Sequence, residues 1–60
     1  MNMNGYKINN MPTTATSKKA IIGRIVDDNI WYFGAYNDIE KAEKIVNTLE
    51  NGILILNPNA

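Results

Sequence analysis

Few side chains in this 60-residue chain can do chemistry, and their spacing assigns them to turns and wet surfaces. The chain has no Cys and no His. That removes a disulfide, any metal site built on thiolate or imidazole, and the usual base for a nucleophilic serine. Ser17 therefore stands without an activating partner. Asp27 and Asp28 are adjacent in a turn signal, where Asp serves to hydrogen-bond its own backbone. Glu40, Glu43 and Glu50 fall on the solvated side of a helix pattern, and no carboxylate spacing resembles a calcium loop. Gly23 and Gly34 belong to no phosphate-cradling motif. Their expected role is to make room for aromatic neighbours. The chain is expected to be non-enzymatic, with no cofactor, metal or small-molecule ligand.

What remains is recognition chemistry. Trp31-Tyr32-Phe33 with Tyr36 is the composition of a base-stacking sheet. Adjacent strand residues point to opposite faces, so Trp31 and Phe33 cannot act together with Tyr32 and Tyr36. Trp31 and Phe33 are assigned to the core. Tyr32 and Tyr36, beside Arg24, form a Tyr/Arg patch of the kind found in interface hot spots.

The elements that must position these residues follow from pattern. Ala20 to Val26 is β-branched and ends at Asp27-Asp28-Asn29, and Ile30 to Tyr36 is its hairpin partner. A two-residue loop would pair Arg24 with Phe33, on the face of Trp31. A three-residue loop, with Asn29 left-handed at its end, sorts the faces better. It places Ile21, Gly23, Ile25, Trp31, Phe33 and Ala35 together. It leaves Ile22, Arg24, Val26, Ile30, Tyr32 and Tyr36 as the partner or dimer interface. Asn37 is expected to cap a helix with Glu40 reaching back. That helix carries Ile39, Ala42, Ile45, Val46 and Leu49 as one apolar stripe and stops at Gly52, left-handed. Ile53 to Leu56 is a last strand. The expected core is Ile21, Ile25, Trp31, Phe33, Ile39, Ala42, Ile45, Val46, Leu49, Ile53 and Ile55.

The fold class is then α+β: a ββαβ module with a three-stranded, mainly antiparallel sheet, one helix on one face, and hairpin order 2-1-3. It occupies residues 20–57, with 58–60 as a tail. Residues 1–19 hold Lys7, Lys18 and Lys19 with no acid and read as a flexible basic arm. Tyr6 and Ile8 alternate with polar residues and offer, as the alternative, a short edge strand. Met3 and Met11 are possible alternative starts that would leave the body untouched.

The body sets Arg24, Lys41 and Lys44 against Asp27, Asp28, Asp38, Glu40, Glu43 and Glu50, so it is acidic by as much as the arm is basic, and the whole is neutral. An acidic body is a poor footprint for nucleic acid. No apolar run reaches the roughly 18 residues of a membrane span, and no secretory signal is visible, so the expected location is cytoplasmic. A body below about 40 residues needs a disulfide, metal or oligomer to stay folded, which points to a homodimer.

Phe33-Gly34-Ala35-Tyr36, followed by Asp38, Ala42, Val46, Leu49 and Gly52, is similar to the strand-to-helix half of SPOR domains, which bind peptidoglycan. The likeness is confined to these positions. It lacks the Gln usual before the motif's Gly and lacks the second half of that fold. The residues themselves favour a small homodimeric protein-binding module that docks on a larger protein and inhibits or modulates it. Phage or mobile-element inhibitors of host defence factors have this character, and the host cytoplasm would then be the site of action. The alternatives are a nucleic-acid binder using the arm with the Tyr/Arg face, and a structural subunit of a larger assembly.

Overall fold

A computed structural model describes residues 2–58. The elements are β1 (Asn2–Met3), β2 (Tyr6–Asn9), a 3-10 helix (Thr13–Ser17), β3 (Ala20–Val26), β4 (Asn29–Tyr36), α1 (Ile39–Val46) and β5 (Gly52–Leu56). They form a five-stranded sheet of order β1-β2-β4-β3-β5. The β2–β4 pair is parallel, and the other pairs are antiparallel. The expected order of the hairpin and last strand is present as β4-β3-β5. The sheet as a whole is not the three-stranded antiparallel sheet read from the sequence.

The difference lies in residues 2–19. Their composition reads as a flexible arm outside the body, yet the described part supplies two strands and much of the core. Asn4-Gly5 makes a tight turn with φ of 51° and 86°, pairing Met3 with Tyr6. Such a pair of left-handed residues matches the right-handed twist of the flanking strands. Ile8 is fully buried and pairs with Ile30. The chain then leaves the sheet at Asn10 (φ 64°) and crosses beneath one face, placing Met11 and Ala15 against Ile8, Ile21 and Ile55. Asn57 locks this crossing. Its buried side-chain amide donates to Thr16 O at 2.7 Å and Lys18 O at 3.0 Å.

The β3–β4 hairpin turns through Asp27-Asp28, with φ of 51° and 65°, and pairs Val26 with Asn29. This two-residue loop replaces the expected three-residue one, and Arg24 faces Trp31 rather than Tyr32 or Phe33. The register then slips between Ile22, which pairs with Gly34, and Gly23, which pairs with Tyr32. Phe33 is the extra residue of a β-bulge. Beyond it the parity of β4 is inverted, so Tyr36 joins the face of Trp31 and Ala35 joins that of Tyr32.

The helix is capped by Asp38, whose carboxylate accepts from Lys41 N–H at 3.2 Å. Asn37, the expected cap, instead accepts from Lys19 N–H at 3.3 Å and ties β4 to the start of β3. The helix is shorter than its apolar stripe, and Asn51 (φ 59°), not Gly52, takes the left-handed position. Gly52 is needed for a different reason. A Cβ there would lie 2.8 Å from Leu49 Cβ, where the post-helix turn presses on β5.

Candidate interaction surface

The sheet carries a layer on each face, and the layers differ in reach. The crossing segment covers one face, packing Met3, Ile8, Met11, Ala15, Ile21 and Ile55 with Ile30, Tyr32, Ala35 and Ile53. On the other face α1 covers Ala20, Ile22 and Leu54, with Tyr36, Ile45, Val46 and Leu49 closing around Ala42. Eight helical residues are too few to shield the whole of this face. What they leave open is the stretch near the hairpin tip, where Trp31 is 46% exposed and Val26 45%; Phe33, the unpaired residue of the bulge, is 47% exposed.

Residues paired directly across a ladder share a face. Arg24 therefore stands beside Trp31 on this open stretch, and Asn9 flanks Trp31 from β2. Lys7, alternating with buried Ile8, shares the side of Asn9. Lys41 reaches from the helix over the Tyr36 ring, its Nζ 5.4 Å from the ring centroid, a cation–π arrangement. The Tyr36 ring in turn lies on Gly34, whose missing Cβ would be 3.2 Å from Tyr36 Cε2. Gly34 thus makes room for an aromatic neighbour as expected. Gly23 does not: the group it admits is Ile30 Cγ2, 2.6 Å from where a Cβ would sit.

The faces are sorted differently from the sequence reading: Trp31 stays on the helix side, but Ile22, Arg24 and Tyr36 share that side with it, while Ile21 and Ala35 turn to the crossing segment with Ile30 and Tyr32. Among the expected interface residues, Ile22 is fully buried beneath the helix, and Ile30 and Tyr32 are half-buried against the crossing segment. Arg24 and Val26 are exposed, and Tyr36 is half-buried. Of the expected core, Ile21, Ala42 and Ile55 are buried, and Ile45, Val46, Leu49 and Ile53 are half-buried. Trp31, Phe33, Ile25 and Ile39 are exposed. The buried residues that sequence reasoning missed are Met3, Ile8, Met11, Ala15, Ala20 and Asn57. The Asn4-Gly5 dipeptide ahead of an alternating Tyr6/Ile8 pair was the signal for the first two, Met3 and Ile8.

Of the polar groups singled out for chemistry, Ser17 and the Asp pair serve local structure. Ser17 Oγ donates to Thr14 O at 3.1 Å, and Asp27 and Asp28 shape the turn. Among the described residues no cluster of carboxylates gathers at one point, and no helix is long and apolar enough to cross a membrane. No family model, no curated protein and no solved structure matches this chain.

Proposed function

We propose that this chain is a non-enzymatic binding module that docks on a larger protein through the open stretch around Trp31 and Phe33, and inhibits or modulates it. The observation that carries the reading is two large aromatics two residues apart on β4, each nearly half exposed, with an arginine paired across from Trp31. Water makes such an arrangement costly to leave bare, and Trp with Arg is the composition that dominates binding energy in interfaces.

The test compares the unmodified chain with Trp31→Ala/Phe33→Ala as baits in a host lysate. The expected result is a protein retained by the first and lost by the second, with the double variant still folded by circular dichroism. Retention unaffected by the substitutions would refute the assignment.

One observation favours a second reading. Arg24 stands across from Trp31 and Lys41 lies over the Tyr36 ring, and stacking platforms with basic neighbours bind single-stranded nucleic acid. Trp31 is the single tryptophan, so its emission reports occupancy directly. Quenching by single-stranded DNA or RNA at physiological salt, with affinity falling as salt rises, would place this reading first.

A further inference from the structure

We propose that the outer edge of β5 pairs antiparallel with β5 of a second copy, on a two-fold axis through Leu54. The phase of the β3–β5 ladder fixes which groups face outward. Asn57 N–H donates to Lys19 O and Ile25 N–H to Asn51 O, each at 2.9 Å. Ladder bonds alternate along an antiparallel pair. Residues 51, 53, 55 and 57 therefore bond inward to β3, and Gly52, Leu54 and Leu56 present N–H and C=O to the free edge. One long side-chain contact reaches this edge, Asn4 Nδ2 donating to Leu56 O at 3.5 Å.

Among the sheet's edges this one suits pairing best. β1 is two residues long, and β4 beyond Asn9 is interrupted by the bulge at Phe33. β5 reads Gly-Ile-Leu-Ile-Leu, with no charge, proline or bulge of the kind that blunts an edge.

The occupant is identified by self-complementarity. Around Leu54, Leu54 bonds to its own copy in both directions, and Gly52 of each subunit bonds to Leu56 of the other. The exposed Leu56 side chain, 49% accessible, then lies over the position where Gly52 of the partner subunit has none. Charge agrees with this direction. Glu50 falls beside Pro58 of the partner subunit, at the end of the sheet where Lys18 and Lys19 stand, whereas a parallel arrangement would set Glu50 against Glu50. The second copy's Gly52 N–H replaces the long Asn4 contact.

The pairing is tested by sedimentation from micromolar to millimolar chain and by amide exchange at both limits. The expected outcome is a mass that doubles with concentration, and amides of Gly52, Leu54 and Leu56 that exchange slowly only in the concentrated sample. Leu56→Pro removes an edge N–H that the subunit's own ladder does not use. It should weaken self-association about tenfold or more while the hairpin amides stay protected, whereas Leu56→Ala, which keeps the N–H, should weaken it less. A monomer at millimolar concentration, or edge amides exchanging freely in a dimer, would overturn the proposal. So would a dimer whose formation shifts Trp31 emission, since that places the contact on the aromatic face. Exchange on the unmodified chain decides the matter even if Leu56→Pro unfolds. Partner capture by the Trp31/Phe33 face is read independently, because Leu56 and those aromatics lie on different strands.

Discussion

Ile22 and Trp31 show how little side-chain size says about position. Ile22 is sealed between the sheet and Ala42, while the larger Trp31 stands beside Arg24 at the sheet's open end. Ile22→Ala should therefore cost about 2–5 kcal/mol, a large part of the stability of so small a domain. Trp31→Ala should cost less than about 1.5 kcal/mol, because nearly half of the side chain is already wet. Urea unfolding followed by circular dichroism compares the two. A Trp31→Ala protein that fails to fold would return Trp31 to the core.

The turn residues offer a second test. Every described non-glycine residue with left-handed φ is Asn or Asp: Asn4, Asn10, Asp27, Asp28 and Asn51. These are the side chains that tolerate that region best. Asp27→Asn with Asp28→Gly installs the preferred pair for this turn and should stabilise the fold by about 0.5–1 kcal/mol. An unchanged or lowered denaturation midpoint would contradict the turn assignment.

At the scale of elements, the legible parts were those with a strong local period. The helix stripe, the two hairpin strands and the apolar last strand are present within a few residues of their expected limits. The facing of the hairpin was not legible, because it depends on two non-periodic features. A turn of two Asp residues shifts the register, and the bulge at Phe33 reverses parity halfway along β4. Strict alternation cannot express either one. The amino-terminal strands were missed because polar composition outweighed a short signal: Ile8 is the single fully buried side chain in β2, among Tyr6, Lys7 and Asn9. Deleting residues 2–9 should therefore unfold the protein rather than trim a tail. Loss of the cooperative transition in thermal unfolding checks this, and a truncated chain with native amide dispersion would show those strands to be dispensable.

Across the whole molecule, the sheet is covered on one face by its own crossing segment and on the other by a helix too short for the task. Ladder pairing around a perpendicular two-fold keeps like faces on one side. A second copy joined at β5 would thus present both aromatic stretches in the same direction, and a target with two equivalent sites would be held by both at once.

The neighbour relation of β2 and β4 also orders events in time. β3 lies between them in the chain but on the far side of β4 in the sheet. As the polypeptide emerges from the ribosome, β2 has no sheet to dock on until β4 has followed it out. Long-range parallel pairings of this sort close slowly. The residues of β2 are consequently made before β4 but seated only after it.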